Sequence, residues 1–461
     1  MKLSSCGAAL LALVTLGSIA GCGAFEFSGA RTNDRVNPEK PLWFARPSGA
    51  LSVFVRRELS IESKERGERY QHGKAAIDGK SHRVFIGAAD HGLYALRAGD
   101  GETIWRFETL SSVQSEPIYD EELDMVYFGS HDGAFYAVRA FDGALVFRFD
   151  TGAEVGRAAV RRGETLYVAN ANDTLFAIDR RTGKERWRAR RNPALGMEIA
   201  GYAGPTIAGD LVYFAFSDGN VTAYDATTGQ ERWSPVDLAV DGESAEGEGA
   251  KYLDVDTTPA MATHPQGPVV LVAAYATGVY ALDAQTGARV WWNDQMTGVT
   301  DLMVYREGAH VAPEAMRTAA DAQGAIPPGA TAPLQPARQV VVVSSASTGL
   351  AGLDAETGRT LWRNKVPEGG ITAPVQWEGA LAVGTTRYGL FLVSPLNGKV
   401  IDGMDLGPGF SETPSVLGAR LYTLTNAGTF LGVHVLAPGR RTTSASDEYR
   451  SLAGSTNHSH W

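Results

Sequence analysis

The chain repeats one short pattern along most of its length, and this repeat limits the folds that it can adopt. Each copy contains an apolar strand, a break of small residues, a second strand that ends near an Asp, a Thr-Gly pair and a large aromatic residue. Four copies are clear, and their tryptophans are Trp187, Trp233, Trp291 and Trp362. Four weaker copies flank them, including one that contains Trp105. Eight units with a period of about 40 residues are typical of an eight-bladed β-propeller.

Each copy predicts four short antiparallel strands. In the second copy these are an innermost strand over 115–118, then strands over 125–128, 134–138 and 144–147. The Asp-x-x-Thr-Gly turn supplies the positive φ that a tight hairpin requires. The tryptophan is predicted to end the outer strand and to pack against the neighbouring blade, since it has a large apolar area to bury. Repetition in several blades favours this structural role over a stacking platform for a ligand.

The two ends of the repeat predict how the ring closes. The eighth copy lacks an outer strand, because residues 437–441 are polar and turn-like. An unmatched apolar segment, Leu51–Val55, precedes the first copy. We expect it to pair with the eighth blade and remove an open sheet edge. The predicted fold is therefore all-β: an eight-bladed β-propeller of four-stranded antiparallel blades over residues 51–437, closed by an N-terminal strand.

Two spacings between copies are longer than the rest. The excess lies near 237–252 and 305–338, which are polar or rich in Ala and Pro, and we interpret both as loops on one rim of the ring. The final segment, 438–461, is polar and rich in Ser and Thr, which predicts a disordered tail.

The first residues predict export. Residues 1–21 contain Lys2, a short apolar run and small residues before Cys22, as in a secretory signal. The sequence around Cys22 resembles a bacterial lipobox, which implies lipidation of Cys22 and a lipidated tether over 22–50; an ordinary secretory signal with a chance cysteine is the alternative. The other cysteine is Cys6, so cleavage before Cys22 leaves one cysteine and no disulfide within the chain.

Charge and motifs exclude several functions. The formal net charge is -10, which argues against a nucleic-acid surface. The sequence contains no phosphate-binding loop and no Gly-x-Ser-x-Gly elbow. His91 and His131 occupy equivalent predicted turns, where a turn role is favoured over a metal site. We therefore predict no catalytic residue, no metal and no cofactor.

The repeat, as in Ala223–Trp233 and Ala281–Trp291, resembles the tryptophan-docked propellers of quinoprotein alcohol dehydrogenases. That resemblance implies a fold. It does not extend to the cofactor, because those enzymes often hold pyrroloquinoline quinone and Ca²⁺ beside a disulfide of adjacent cysteines, which this chain lacks.

The lipobox, the blade count and the repeat together are similar to the family of the outer-membrane protein assembly factor BamB. The most specific segment is Asp254–Pro259, and the resemblance implies that Asp254 and Asp256 belong to the surface that meets the periplasmic POTRA domains of BamA. A second family contact segment corresponds to Met197 and Ile199, with Ala200 where the family has Arg. Capping of a hairpin or strand start is the structural alternative for the two aspartates.

The family resemblance implies a non-catalytic scaffold that is lipid-anchored in the outer membrane, faces the periplasm and is a monomer within a complex with a BamA-like subunit. Two alternatives remain open from the sequence. One is a different propeller lipoprotein of the cell envelope that binds another protein or a polysaccharide. The other, less favoured, is a quinone-dependent dehydrogenase.

Overall fold

The computed structural model describes residues 51–59, 71–192, 203–240, 254–307, 338–364, 370–386, 389–406 and 409–435. Within these residues, 32 strands form eight four-stranded antiparallel sheets. The predicted eight-bladed β-propeller is confirmed. In the same residues, no helix is both long and apolar enough to span a membrane.

A closing strand and the first four blades occupy the first half of the chain. The closing strand is β1 (Leu51–Glu58). Blade 1 comprises β2 (Ala75–Asp78), β3 (Arg83–Gly87), β4 (Gly92–Arg97) and β5 (Thr103–Glu108). Blade 2 comprises β6 (Ile118–Asp120), β7 (Met125–Gly129), β8 (Ala134–Arg139) and β9 (Leu145–Asp150). Blade 3 comprises β10 (Val160–Arg162), β11 (Thr165–Asn170), β12 (Thr174–Asp179) and β13 (Glu185–Arg190). Blade 4 comprises β14 (Thr206–Ala208), β15 (Leu211–Ala215), β16 (Asn220–Asp225) and β17 (Val236–Asp237).

The remaining strands repeat the same order. Blade 5 comprises β18 (Ala260–His264), β19 (Gly267–Ala274), β20 (Gly278–Asp283) and β21 (Arg289–Asn293). Blade 6 comprises β22 (Val299–Arg306), β23 (Gln339–Ser345), β24 (Gly349–Asp354) and β25 (Thr360–Asn364). Blade 7 comprises β26 (Val375–Trp377), β27 (Ala380–Thr385), β28 (Gly389–Val393) and β29 (Val400–Asp405). Blade 8 comprises β30 (Ser415–Leu417), β31 (Arg420–Leu424) and β32 (Thr429–Val435), with β1 as its outer strand.

The N-terminal strand closes the ring, as predicted from Leu51–Val55. Strand β1 pairs antiparallel with β32, from Leu51 opposite Val435 to Glu58 opposite Thr429. Leu51 is buried in the core between blades 7 and 8, and Val55 in the core between blades 8 and 1. The buried phenol of Tyr422 in this blade donates a hydrogen bond to the main-chain oxygen of Ala98 in blade 1, at 3.2 Å. The two ends of the repeat are thereby joined in one blade, and this blade is hydrogen-bonded to blade 1.

The second and third strands of most blades are buried on both faces, which explains their nearly continuous apolar sequences. Every residue of β7 is buried, and only the last residue of β8 is exposed. Buried tyrosines of the second strand form hydrogen bonds to the next blade. The phenol of Tyr127 donates to the main-chain oxygen of Arg180 at 2.9 Å. Tyr167 and Ala226 make the same bond at 2.8 Å. Apolar packing and the hydrogen bonds of these phenols therefore hold neighbouring blades together.

The aromatic position of the repeat packs on the Thr-Gly turn of the following blade. Trp187 donates from its indole nitrogen to the main-chain oxygen of Ala226, at 3.1 Å. Its ring lies where a side chain on Gly229 would be, since a Cβ there would stand 2.6 Å from Trp187 Cδ2. Gly229 also has a φ of +72°. Equivalent ring-over-glycine contacts join Trp105 to Gly143, Phe147 to Gly183, Trp233 to Gly287, Trp291 to Gly358 and Trp362 to Gly398.

Two predicted strand boundaries are wrong. The innermost strand of blade 2 begins at Ile118 rather than Ser115. Ser115 instead uses its hydroxyl to bind the main-chain nitrogen and oxygen of Gly129, at 2.8 and 2.9 Å, and Pro117 has no N–H to donate. The tryptophan does not end the outer strand either, because Trp187 is the third residue of β13, which continues to Arg190.

The two long inserts do not share one rim, contrary to the prediction. Most of both lies outside the described residues, but their attachment points are clear. The first joins β17 to β18, which is a link between blades, whereas the second joins β22 to β23, which is a hairpin within blade 6. In an antiparallel blade these two connections lie at opposite ends of the strands.

Candidate docking surface

The ring has two faces with different connections. We call the upper face the one that carries the turns between second and third strands and the links between blades; the lower face carries the Asp-x-x-Thr-Gly turns. Asp254 and Asp256 lie on the link that enters β18, on the upper face. Met197, Ile199, Ala200 and Cys22 lie outside the described residues. The link that contains 197–200 runs from β13 to β14 and also starts and ends at the upper face.

The two aspartates are more buried than a simple contact surface requires. Asp254 is only 5% exposed, and Asp256 is partly buried. The Oδ1 atoms of both residues are buried without a hydrogen-bond partner among the described residues. Thr257 instead fixes the segment that leads into β18. Its hydroxyl accepts from the main-chain nitrogen of Ala273 at 2.9 Å and donates to the main-chain oxygen of Ala273 at 3.0 Å. The capping role considered for the aspartates therefore belongs to Thr257.

The loop that contains the aspartates shares a frame with the equivalent loops of other blades: a buried valine and one main-chain hydrogen bond. Val255 is fully buried, as are Val113 and Val155 at the equivalent places in blades 2 and 3. The main-chain oxygen of Asp254 accepts from the nitrogen of Tyr275 at 3.1 Å. Ser112 accepts from His131 and Glu154 accepts from Ala171 in the same way, at 3.0 and 2.9 Å. The frame needs only main-chain groups and the valine, so it does not require the carboxylates.

Three blades converge at this pair. Arg157, which precedes β10, donates from Nη2 to the main-chain oxygen of Asp256 at 3.3 Å. The guanidinium reaches blade 5 beside Gly204 of blade 4, where a Cβ would lie 3.4 Å from Arg157 Cβ and 2.9 Å from Thr258 Oγ1. Thr258 in turn accepts from the nitrogen of Gly204 at 2.9 Å. A small residue at 204 thus lets the basic side chain approach the acidic segment.

The ionisation of Asp256 is perturbed. Burial, together with the hydrogen bond and the negative charge of Asp254, raises the pKa of Asp256 to about 8. Arg157 opposes this shift, and Asp173 adds to it. Asp173 belongs to the turn between β11 and β12 and accepts from the nitrogen of Ser217 at 3.2 Å. Its surroundings therefore favour the protonated carboxyl of Asp256 over the carboxylate.

Further charged residues lie at or near the starts of the innermost strands. Asp301 is the third residue of the innermost strand of blade 6. Burial raises its pKa to about 6, with Glu412 adding to the rise and Arg157 and Lys74 opposing it. Lys74 and Glu116, which precede the innermost strands of blades 1 and 2, form an ion pair of 2.7 Å. These segments thus combine several carboxyl groups with two basic side chains. Among the residues that the structure describes, no group of three or more His, Cys, Asp or Glu is arranged to hold a metal ion.

Two exposed apolar side chains lie in connections on the same upper face as the aspartates. Tyr275, in the turn from β19 to β20, is 38% exposed and is fixed through its nitrogen to Asp254. Val240, which follows β17, is 54% exposed. Sequence reasoning missed both. The sequence does mark Tyr275 as unusual. The equivalent turn positions in blades 2 to 4 hold the smaller or more polar His131, Ala171 and Ser217. We call Val240, Asp254, Asp256 and Tyr275 the blade 4–5 patch.

Eight four-stranded blades, six of which place an aromatic ring over a turn glycine of the following blade, define the class of PQQ-like repeat propellers. The family model described as outer membrane protein assembly factor BamB matches residues 89–326, 314–401 and 346–442. The chain therefore belongs to the BamB family, as the sequence resemblance predicted.

Two curated relatives are similar to parts of the chain. Tetrathionate hydrolase of Acidithiobacillus ferrooxidans is 24% identical over 367 residues, which are 78% of this chain and 57% of that protein. The outer membrane protein assembly factor BamB of Legionella pneumophila is 35% identical over 80 residues, which are 17% of this chain and 21% of that protein. The chain thus matches less than two thirds of the length of either relative.

Solved structures share the fold. BamB from Moraxella catarrhalis has a TM-score of 0.63 at 18% identity, over 83% of this chain and 99% of that one. A quinohemoprotein alcohol dehydrogenase from Pseudomonas putida has a TM-score of 0.56 at 14% identity, over 86% and 79%. At these identities the similarity concerns the fold alone.

Proposed function

We propose that this chain is a non-catalytic scaffold lipoprotein of the outer-membrane β-barrel assembly machinery, and that its blade 4–5 patch binds the POTRA domains of a BamA-like subunit. The observation that carries this proposal is the buried carboxyl pair beside an exposed tyrosine, on a loop whose frame needs neither carboxylate. Apolar side chains beside desolvated charges are typical of interface hot spots. Membership in the BamB family supports the identity of the partner.

The proposed location is the outer membrane, on the periplasmic side, with lipidated Cys22 as the anchor. Strand β1 enters blade 8 at the lower face, because Leu51 pairs with Val435 at the lower end of β32. Residues 22–50 could span at most about 100 Å when fully extended. A tether that joins the lower face leaves the upper face available to a partner. Cys22→Ser should abolish labelling of the protein by radioactive palmitate; continued labelling would contradict the anchor.

Binding of purified POTRA domains from the same organism tests the docking role. Asp254→Ala with Asp256→Ala should weaken binding at least about 30-fold, since a hot-spot truncation costs about 2 kcal/mol or more. Met197→Ala with Ile199→Ala should also weaken it, mainly through faster dissociation, which biolayer interferometry measures directly.

Glu108→Ala with Asp150→Ala is the matched control. It removes two exposed carboxylates from the upper ends of the outer strands of blades 1 and 2, outside the patch. We expect unchanged binding for this control. Equal binding by the control and by both patch variants would contradict the proposed site, and a different protein or a polysaccharide recovered with the gently extracted chain would replace the partner.

An enzymatic role is the second candidate, and two observations favour it. One is the similarity to tetrathionate hydrolase over 78% of the chain. The other is the raised pKa of Asp256 on the link that enters β18, since perturbed acids are common in active sites. Incubation of the lipid-free chain with tetrathionate tests this role. Hydrolysis that Asp256→Asn abolishes would favour the enzyme over the scaffold.

A further inference from the structure

We infer that the lower rim of blades 7, 8, 1 and 2 lies against a phospholipid bilayer, with exposed apolar side chains inserted between the lipid headgroups. This inference rests on the lipid anchor proposed above for Cys22, and it gives the ring itself a second contact with the same membrane. We call the contact surface the lipid-facing arc. Its members are the exposed apolar residues Ile104, Phe141, Leu145, Val146, Leu396 and Ile401.

The first reason is the uneven distribution of exposed apolar side chains around the ring. Ten large apolar side chains are exposed in the part of the chain that the structure describes. Six of them lie in the lower turns or at the lower ends of the outer strands, and all six belong to blades 7, 1 and 2. The lower rims of blades 3 to 6 contribute none of the ten. Single exposed apolar residues are ordinary, but their concentration on one side of a ring indicates a contact surface.

One repeated turn position shows the contrast directly. The residue two places before the turn glycine is Phe141 in blade 2 and Leu396 in blade 7, and Phe141 is 75% exposed. Polar residues occupy the same position in blades 3 to 6, namely Arg181, Thr227, Gln285 and Glu356. The turn therefore folds equally well with a polar side chain there, and the two apolar residues are not explained by the fold.

The second reason is the place where the chain enters the ring. Strand β1 begins with Leu51 at the lower end of blade 8, so the proposed tether reaches the ring between blades 7 and 1. The lower turn of blade 1 packs on this strand, because a Cβ on Gly101 would lie 3.0 Å from Val55 Cγ1. The lipid-facing arc is therefore centred on the attachment point of the tether, and a lipid on Cys22 would bring this side of the ring to the membrane.

The width and the charge of the arc favour a bilayer as its occupant. The arc extends over four neighbouring blades, which are half of the ring, so a short peptide that covered Phe141 would leave Leu396 exposed. Charged side chains on the lower turns of blades 1 and 2 are paired locally: Arg97 contacts Asp100, and Arg139 contacts Asp142. The net charge of -10 also gives the chain no general attraction to anionic lipids. Apolar area therefore supplies the attraction, as it does for proteins that lie in the membrane interface.

A single fluorescent probe tests the contact in the lipidated protein. Cleavage removes Cys6 and lipidation blocks Cys22, so Phe141→Cys supplies the one reactive thiol. An NBD group attached there should be quenched by nitroxide-labelled lipid when the protein is anchored in phosphatidylcholine vesicles. Thr227→Cys is the matched control, because it occupies the equivalent turn of blade 4, opposite blade 8 in the ring. We expect no quenching of a probe at that position, and equal quenching of the two probes would overturn the inference.

Substitutions in the arc test whether apolar side chains hold the ring to the lipid. Leu145→Ser with Leu396→Ser should shift the equilibrium between bound and free rings about tenfold towards free rings, since both side chains are about half exposed and would lose their burial in lipid. Quenching of the probe at Phe141→Cys should fall accordingly. Gln285→Ser with Glu356→Ser, on the lower turns of blades 5 and 6, should leave quenching unchanged. So should 1 M NaCl, because an apolar contact is not screened by salt. Equal quenching in the two double variants would contradict the arc.

The anchor and the contact fail separately. Labelling by palmitate without quenching at Phe141→Cys contradicts the contact and leaves the anchor intact. Absence of palmitate labelling contradicts the anchor. The same probe, with Cys6→Ser and Cys22→Ser in place, is then mixed with the vesicles: quenching sustains the contact and its absence overturns it. Blue-shifted emission from the probe without any vesicles would show that another part of the chain or a second copy covers the arc, and would overturn the bilayer as its occupant.

Discussion

The residues that distinguish blade 5 from its neighbours are side chains on a shared main-chain frame. The loops that contain Val113, Val155 and Val255 bury the same side chain, and the residue before each valine accepts the same main-chain hydrogen bond. Ser112 and Glu154 occupy the place of Asp254, so any residue with a main-chain oxygen can perform this structural task. The carboxyl pair is an addition to the frame, and additions of this kind point to function.

The stability of the chain should depend on pH through Asp256. The pKa of this carboxyl is raised in the folded state, so the folded chain retains the proton over a range in which the unfolded chain has lost it. This contribution favours folding below the unfolded pKa, declines as pH rises from about 4 to about 8 and is lost above that range. Asp256→Asn removes the dependence.

We therefore expect Asp256→Asn to be more stable than the wild type at pH 8 by at least about 1.4 kcal/mol, the equivalent of one pKa unit. The advantage should shrink towards pH 5. Urea unfolding of both proteins at the two pH values measures the difference. A constant difference across this range would show that Asp256 does not retain its proton in the folded chain.

Sequence reasoning identified the two aspartates through a family segment, but it could not predict their burial. The segment that contains them packs against Arg157 and Gly204, which come from blades 3 and 4 and approach it only when neighbouring blades pack together. Tyr275 was predictable in principle, because an aromatic residue replaces small or polar residues at one repeated turn position. Its contact with Asp254 was not, since strands β18 and β19 separate the two residues in the sequence.

At the scale of elements, the repeat predicted strand number and order well and strand ends poorly. Buried second and third strands have nearly continuous apolar sequences and are recognisable from any one copy. The innermost strands are short, and their starts depend on side-chain bonds such as that of Ser115 to Gly129. The attachment of the two inserts at opposite faces follows from strand direction, which the spacing of the repeat in the sequence does not convey.

Docking of the aromatic ring on the Thr-Gly turn predicts a large cost for one methyl group. Gly358→Ala would place a Cβ 2.5 Å from Trp291 Cε3 at a φ of +70°. Gly209→Ala is the matched control, because its φ is +58° and nothing lies within 4 Å of the added Cβ. The control should lose about 1 kcal/mol from backbone strain alone.

We expect Gly358→Ala to lose about 2 kcal/mol more than this control, because the ring must move out of its packed position. Urea unfolding of the two variants in parallel checks the difference. Equal losses would show that the tryptophan tolerates displacement and that its contact with the turn contributes little to the junction of blades 5 and 6.

At the scale of the whole molecule, the ring depends on a strand that is distant in sequence from the blade it completes. Residues Leu51–Glu58 pair with Thr429–Val435, so closure requires the two ends of the repeat to meet. Contacts of this sequence separation form late, because the entropy of closing the chain must be overcome first. The phenol of Tyr422 on Ala98 and the packing of Val55 then connect blade 8 to blade 1.

Deletion of residues 51–56 should therefore open the ring. It removes most of the pairing with β32 and exposes that strand as an unprotected edge, which favours aggregation. It also uncovers the apolar side chains of blade 8 that Leu51 and Val55 bury. We expect a broad, less cooperative thermal transition and a shift to aggregates in size-exclusion chromatography.

Deletion of residues 29–34, six residues of the proposed tether, is the control and should leave both properties unchanged. A sharp transition at the wild-type temperature after deletion of 51–56 would show that the eighth blade is stable with three strands, and the closing strand would then serve mainly to fix the tether to the ring.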